Sequence, residues 1–207
     1  MMWEWAVKGG WTMVPLLGLS IISVAVVLER LITLRPSRVL SKPIVSALEE
    51  GRTIGEIRLM LEENTSVLGR FLSKIDSKKS ETRETLNDLS HAYFKGVWNE
   101  LEKNLEFLNI VATTSPLLGL LGTVLGMVRI FRSISQAGGN NAALSGGIAE
   151  ALITTITGLA IAVPALVFYT YFSKQVERYL LNLEECGKLY LGLLKRAAHV
   201  EELIRRK

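Results

Sequence analysis

The sequence GGIAEALITTITG, residues 146–158, opens an apolar run that continues to Phe172. The run is long enough to cross a lipid bilayer as a single helix. Near its start lies Glu150. A carboxylate within a membrane helix is energetically costly and usually faces the interior of a helix bundle or a water-filled pathway. The stretch therefore predicts a membrane-spanning helix with a functional polar face.

Projected at 3.6 residues per turn, this run separates into three faces. The polar face consists of Glu150, Thr154, Thr157, Ile161 and Pro164. The face beside it carries small residues, namely Ala151, Thr155, Gly158, Ala162 and Ala165. Leucine, isoleucine and valine occupy the opposite face. The bulky face suits contact with lipid, whereas the small and polar faces suit close packing against another helix.

A second apolar run contains SPLLGLLGTVLGM, residues 115–127, and has the same division into faces. One face is small, with Ser115, Gly119, Gly122 and Gly126, and the adjoining face has Pro116, Leu120, Thr123 and Met127. The glycines lack the G-x-G-x-x-G spacing of a nucleotide-binding loop, so they predict close helix contact instead. Thr123 and Thr155 lie at matched depths, roughly 10–12 Å below the outer ends of their spans. Together they predict one shared polar lining.

Composition and charge support a membrane protein. The 207 residues are 49% hydrophobic with a mean hydropathy of +0.29. Three long apolar runs explain these values: the two described above and a third that covers residues 11–34. The net charge of +4 is compatible with nucleic acid binding, but 13 of the 24 Lys and Arg residues lie in residues 30–103 and 8 in residues 174–207. This distribution follows the positive-inside rule. It predicts an all-α membrane protein with three transmembrane helices, the N-terminus outside, and no nucleic acid partner.

The predicted organisation follows from these runs and their flanks. The second and third transmembrane helices are predicted to extend into the cytoplasm, because no proline interrupts the pattern between Ser80 and Pro116 or between Pro164 and Arg205. In chain order the segments are an external interfacial segment (1–10), transmembrane helix 1 (11–34), a cytoplasmic helical region (35–106), transmembrane helix 2 (107–132), an external loop (133–147), transmembrane helix 3 (148–172) and a cytoplasmic helical tail (173–207).

Two short cytoplasmic helices are also predicted. Thr53-x-x-Glu56 resembles a capping box at the start of a helix that runs to about Glu63. A second helix is predicted for residues 66–75.

The chain shows no enzyme motif, so we expect no catalytic residue, no metal site and no cofactor. His91 and His199 are isolated, and Cys186 is the only cysteine. Two roles remain open for Glu150: a place in an ion pathway, or a structural ion pair with Arg129 or Arg132. Pro116 and Pro164 either kink their helices or allow them to flex.

These residues resemble a known family. GIAEAL at residues 147–152, followed by Thr155, Gly158 and Pro164, is similar to the third-span signature of ExbB and TolQ proteins. Residues 115–127 resemble their second-span signature. The order of segments and the long cytoplasmic insert agree as well. The MotA stators of the broader family have an additional span and a different cytoplasmic region.

The resemblance implies a multi-pass protein of the bacterial inner membrane. It implies a ring, typically of five subunits, around single-span partners of the ExbD or TolR kind, with a TonB- or TolA-like protein as a further partner. Proton motive force would drive movement of the ring against the partner, and an aspartate of the partner would carry the proton. The matching positions are Thr123 and Thr155, which would face that aspartate, and Glu150; Thr154 offers a second candidate hydroxyl beside Thr155.

Two alternatives to an ExbB-like motor or channel subunit remain. One is a TolQ-like role in envelope integrity and division, because the two proteins share these motifs. The other is a membrane scaffold that conducts no ions, for which the glycine faces alone would suffice.

Overall fold

The computed structural model describes residues 11–77, 83–137 and 141–205, and within these ranges it contains helices and no strand. The predicted interfacial segment at residues 1–10 and the helix start at Ser80 lie outside the described residues. The helices are α1 (Met13–Thr33), α2 (Pro36–Val39), α3 (Lys42–Glu49), α4 (Ile54–Glu62), α5 (Val67–Asp76), α6 (Arg83–Glu102), α7 (Leu105–Ala137) and α8 (Asn141–Arg205).

Three of the helices are long and apolar enough to cross a membrane. They are α1, the part of α7 up to Arg132, and the part of α8 from Gly146 to Ala198, which contains the predicted span at residues 148–172. The all-helical fold and the three membrane-capable helices are thereby confirmed. Which ends lie outside the cell stays a prediction.

The chain divides into two compact units. The first contains residues 11–30 and 104–172 of the described chain, and so includes most of α1, all of α7 and the part of α8 that ends at Phe172. Its small core joins all three helices: Val111, Ala112 and Ala165 are buried, with Leu19 and Ile161 packed against them. No charged side chain takes part in this core.

Glycines bring α7 and α8 into backbone contact along a line that we call the glycine seam: Gly119, Gly122 and Gly126 of α7 with Ala151, Thr154, Thr155 and Gly158 of α8. A Cβ atom on Gly158 would lie 2.5 Å from the Ser115 carbonyl oxygen, and one on Gly119 would lie 3.1 Å from the Thr154 carbonyl oxygen. The distance at Gly158 is too short for any side chain, and the distance at Gly119 would force the backbone of α8 to shift, so glycine permits this approach. In this chain the small faces of α7 and α8 meet along the glycine seam.

The bulky faces of the same two helices remain exposed in this chain. Leu117 is 65% exposed on α7, and Val163 is 60% exposed on α8. Further exposed side chains on these faces are Leu121, Val128, Leu152, Ile156, Leu159 and Leu166. This arrangement is what a helix pair surrounded by lipid or by other subunits requires.

The predicted continuous helix from Ser80 to residue 132 is wrong. The helix ends at Glu102 and restarts at Leu105, with Asn104 between them at a φ of 65°. Asparagine adopts this left-handed conformation more readily than most residues do. The Asn104 amide also donates a hydrogen bond of 2.8 Å to Glu29 Oε2, which holds the break in place.

The predicted loop at residues 133–147 is wrong as well, because α7 continues to Ala137 and α8 begins at Asn141. The apolar pattern ends before the helices do. Polar residues here continue the helix, as shown by Ser135, whose hydroxyl donates to the Phe131 carbonyl within α7. Whether this end faces the outside stays a prediction.

The second unit contains residues 31–103 and 173–205 of the described chain. Helix α5 contributes Leu68, Phe71, Leu72 and Ile75 to its buried apolar side chains. An ionic cluster joins three helices, because Arg58 of α4 and Tyr190 of α8 both donate to Asp76 of α5. The Tyr190 side chain is fully buried, and burial raises the pKa of its hydroxyl, which stays a donor.

The local helix predictions in this unit are largely confirmed. Ser66 caps α5 by accepting a hydrogen bond of 3.0 Å from the Gly69 amide. Thr53 occupies the N-cap position of α4, but its side chain forms no capping bond, so the predicted capping box is wrong. Helix α8 continues unbroken past Gly187 and Gly192 to Arg205, as predicted.

The glycine seam predicts unequal effects of one substitution at two sites in α8. Gly158→Ala should lower the stability of the folded chain by about 1–3 kcal/mol, because the new methyl group would force the backbones of α7 and α8 apart. Gly192→Ala is the matched control, since apart from its chain neighbours and the backbone of its own helix nothing lies within 4 Å of its new Cβ. That change should stabilise α8 by up to about 1 kcal/mol. Thermal unfolding of the detergent-solubilised protein measures both, and equal melting temperatures would contradict the seam.

A second prediction concerns Cys186, which lies in α8 beyond the apolar residues 148–172. Burial raises the pKa of its thiol to about 11, so about one thiol in a thousand is ionised at pH 8. We expect iodoacetamide to leave the native protein unmodified and to alkylate it after denaturation in detergent. Equally fast alkylation in both states would show that the thiol is accessible.

Candidate functional site

Each of the three threonines predicted for the ion pathway donates its hydroxyl proton to a backbone carbonyl. The Thr123 hydroxyl donates to the Leu120 carbonyl at 2.7 Å within α7, and the Thr154 hydroxyl donates to the Ala151 carbonyl at 2.7 Å within α8. The Thr155 hydroxyl instead crosses between helices and donates to the Gly119 carbonyl of α7 at 3.2 Å. Thr155 therefore links the two helices directly.

The two neighbouring threonines of α8 differ in exposure. Thr154 is 1% exposed and fills the space that Gly122 leaves in α7, so its side chain belongs to the glycine seam. Thr155 and Thr123 are partly exposed. Gly119, which accepts the Thr155 bond, precedes Thr123 by four residues, or roughly 6 Å along α7. Of the three threonines predicted for the ion pathway, Thr155 and Thr123 are thus the two that a partner can reach.

The hydrogen bonds limit what these two hydroxyls can do. A hydroxyl has one proton to donate and two lone pairs that accept. With the proton engaged by a helix carbonyl, Thr123 and Thr155 can still accept from a protonated carboxyl group or from water. To donate to a carboxylate, either hydroxyl would first have to break its hydrogen bond to the backbone carbonyl. The arrangement therefore favours a neutral acid over its anion.

Of the two roles left open for Glu150, the structure shows the ion pair. Arg129 Nη1 lies 3.0 Å from Glu150 Oε1, and the pair joins α7 to α8. The Arg129 side chain is 59% exposed and that of Glu150 is 33% exposed. Half-exposed pairs of this kind contribute little to stability in water, and the Glu150 carboxylate remains accessible from outside the chain.

The prolines and glycines predicted for packing or flexing lie in different environments. Gly119, Gly122, Gly126 and Gly158 belong to the glycine seam. Pro116 lies inside α7 and is partly exposed; Pro164 lies inside α8 and is exposed. Neither helix ends at its proline.

Two hydroxyls near the seam were not singled out as site residues from the sequence. Ser115 Oγ is fully buried, and the described part of the chain offers it no hydrogen-bond partner. Thr12, which precedes α1, is buried, and its Oγ1 would lie 3.0 Å from a Cβ on Gly122. For Ser115, the only signal in the sequence was its position on the small face. Nothing in the sequence points to Thr12.

The comparison with known proteins agrees with this helix pair. Residues 61–185, more than half of the chain, match the model of the MotA/TolQ/ExbB proton channel family. The chain belongs to this family. The resemblance inferred from the two span signatures is thereby confirmed, and with the three apolar helices it makes the chain a multi-pass membrane protein of a proton channel family.

Individual relatives differ in how much of their length is matched. An ExbB-like biopolymer transport protein, number 3 of Synechocystis sp., is 32% identical over 196 residues, which cover 88% of this chain and 90% of the relative. TolQ of the Tol-Pal system of Pseudomonas aeruginosa is 38% identical over 106 residues, 50% of this chain and 45% of TolQ. The biopolymer transport protein ExbB of Salmonella typhimurium is 38% identical over 91 residues, 44% of this chain and 37% of ExbB.

The part of the chain that matches the MotA/TolQ/ExbB model contains the whole glycine seam. It also contains Thr123, Thr155 and the ion pair between Arg129 and Glu150. Helix α1 precedes the matched residues. The candidate site of this family member is therefore built from α7 and α8.

The ion pair predicts small and coupled effects on stability. Glu150→Ala and Arg129→Ala should each lower the stability by at most about 1 kcal/mol, because both side chains are partly exposed. The double variant should lose less stability than the two single variants lose in total, because both single variants break the same ion pair. We expect Glu150→Ala to reduce proton flux while the melting temperature changes by only a few degrees. A large loss of stability in Glu150→Ala that Arg129→Ala reverses, together with normal flux, would assign Glu150 a structural role alone.

Proposed function

We propose that this chain is one subunit of a membrane motor or channel that is driven by the proton motive force and acts through a single-span partner of the ExbD or TolR kind. The observation that carries the proposal is the pair of partly exposed hydroxyls, Thr123 and Thr155, whose protons are held by helix carbonyls. Family membership supports the use of protons. The named relatives in biopolymer transport and in the Tol-Pal system support the kind of process served.

The chemistry of the hydroxyls suggests how a proton could be coupled to movement. In its protonated form, a partner aspartate could donate a hydrogen bond to Thr123 or Thr155 and remain at the site. After losing its proton, the carboxylate would find only lone pairs there and would move away. Each protonation would thus change the affinity of the partner for one subunit. Several subunits around the partner would turn this change into directed motion.

The proposed assembly is a homo-oligomeric ring, a pentamer by resemblance, in the bacterial inner membrane. The N-terminus lies outside and the second unit lies in the cytoplasm, in keeping with the many basic residues there. The exposed bulky faces of α7 and α8 supply surface for neighbouring subunits and lipid. A TonB- or TolA-like protein would complete the system.

A membrane scaffold that conducts no ions is the second candidate. The glycine seam favours the scaffold, because close packing of the two helices does not need the hydroxyls of the exposed threonines. The two candidates differ in whether loss of the hydroxyls matters.

Valine substitution tests this difference, because it keeps the shape of threonine and removes the hydroxyl. Thr123→Val and Thr155→Val should each reduce partner-dependent proton flux by about two- to tenfold, the value of one hydrogen bond. Flux is measured in proteoliposomes that contain the chain and its single-span partner. Thr155→Ser should retain flux, because it keeps the bond to Gly119.

Matched controls are available on the same helices. Thr113 of α7 and Thr170 of α8 are exposed, and each donates its hydroxyl proton to a carbonyl of its own helix. Thr113→Val and Thr170→Val should therefore leave flux unchanged. Normal flux in both Thr123→Val and Thr155→Val would reject the proposal and favour the scaffold.

A further inference from the structure

A double hydrogen bond fixes the end of α1 against α8 within the second unit. The Leu34 carbonyl oxygen follows the last residue of α1 and accepts from Gln175 Nε2 at 3.1 Å and from Tyr179 Oη at 3.0 Å. Leu34 is 2% exposed and Tyr179 is 7% exposed, so both are held firmly. The chain segment after α1 and the first turns of α8 beyond Phe172 therefore have fixed relative positions.

Each of these fixed residues has a cation beside it in the sequence. Arg35 follows Leu34, Lys174 precedes Gln175, and Arg178 precedes Tyr179; all three cations are exposed. Arg38 lies at the end of α2, and its amide donates to the Arg35 carbonyl at 2.9 Å, so it too has a fixed backbone. We call Arg35, Arg38, Lys174 and Arg178 the basic cluster.

The basic cluster lacks compensating charge. Within the described residues, none of its four side chains forms an ion pair. Residues 35–42 contain no carboxylate, and residues 173–180 contain only Glu177. Some exposed cations elsewhere are paired, such as Arg70 with Glu100 and Lys188 with Glu184. These four exposed cations, which flank the fixed contacts of Leu34 with Gln175 and Tyr179, indicate an anionic partner.

The sequence position of the basic cluster indicates which anion. Helix α1 ends at Thr33 and the apolar residues of α8 end at Phe172, each two residues before the nearest cluster cation. Cations directly beyond an apolar span lie at the depth of the lipid headgroups. Arginine binds phosphate through two parallel hydrogen bonds, and the cluster has three arginines.

We propose that the basic cluster binds the phosphate groups of anionic phospholipids in the membrane leaflet that it faces. The bound lipids would anchor the end of α1 and the start of the polar part of α8 to the membrane surface. This inference rests on membership of a membrane protein family and on the exposed cations, and it does not depend on how protons are coupled. An acidic segment of a partner protein is the competing occupant.

The test measures lipid binding by the purified full-length chain in detergent. Fluorescent phosphatidylglycerol and phosphatidylcholine are titrated at 50 and 300 mM NaCl. The variant carries Arg35→Gln, Arg38→Gln, Lys174→Gln and Arg178→Gln. The control variant removes four cations elsewhere in the same unit, with Lys95→Gln, Lys188→Gln, Lys195→Gln and Arg196→Gln.

We expect the wild-type chain to prefer phosphatidylglycerol at least tenfold, and less at the higher salt concentration. Each removed cation should weaken binding by up to about fivefold, so the cluster variant should lose at least tenfold. The control variant should stay within about twofold of the wild type. Inorganic phosphate at 20 mM should not displace the lipid.

Three results would overturn the proposal. The first is equal affinity of the cluster variant and the wild type. The second is complete displacement by inorganic phosphate, which would indicate a site for free anions. The third is unchanged lipid binding by the variant combined with loss of a co-purifying partner, which would indicate an acidic protein segment. If the cluster variant does not fold, two other measurements decide the question. The first is the lipid preference of the wild type and its dependence on salt. The second is lipid binding by the double variant Arg35→Gln, Arg38→Gln.

Discussion

The backbone contact between α7 and α8 is the constraint on which the rest of the first unit depends. Gly158 meets the Ser115 carbonyl so closely that no side chain fits between them. This approach brings the Gly119 carbonyl within reach of the Thr155 hydroxyl, and it places Thr154 in the space beside Gly122. Wider separation of the helices would free the Thr155 proton and change the chemistry that the site offers. The hydrogen-bonding chemistry of the site therefore depends directly on how closely the two helices pack.

Much of the fold was predictable from the sequence, because hydropathy and helical periodicity report directly on membrane spans and on faces. The break at Asn104 was not, because neither glycine nor proline marks it and its stabilising partner, Glu29, lies 75 residues earlier in the chain. The end of α7 and the beginning of α8 were missed for a related reason: an apolar pattern ends where the lipid ends, whereas a helix continues as long as its backbone bonds are made.

The candidate site was predictable in its residues and only partly in its geometry. A helical wheel placed Thr154 with Glu150 and placed Thr155 on the small face. It could not tell which of the two threonines remains open, because this depends on the rotation of α8 against α7. Likewise, Arg129 and Arg132 were equal candidates to pair with Glu150 until the register of the two helices was known. Rotation and register are set by packing between helices, which a single sequence does not report.

The uncovered bulky faces of α7 and α8 have a consequence for thermodynamics. Side chains such as Leu117 and Val163 remain in hydrocarbon whether the two helices are packed or apart. Separating the helices within a bilayer therefore exposes little apolar surface to water, and the accompanying change in heat capacity is small. The free energy that holds the pair together therefore changes almost linearly with temperature, without the curved maximum that a water-soluble core shows. Such a helix pair has no temperature of maximum stability, so cooling alone does not separate it as it can unfold a water-soluble core.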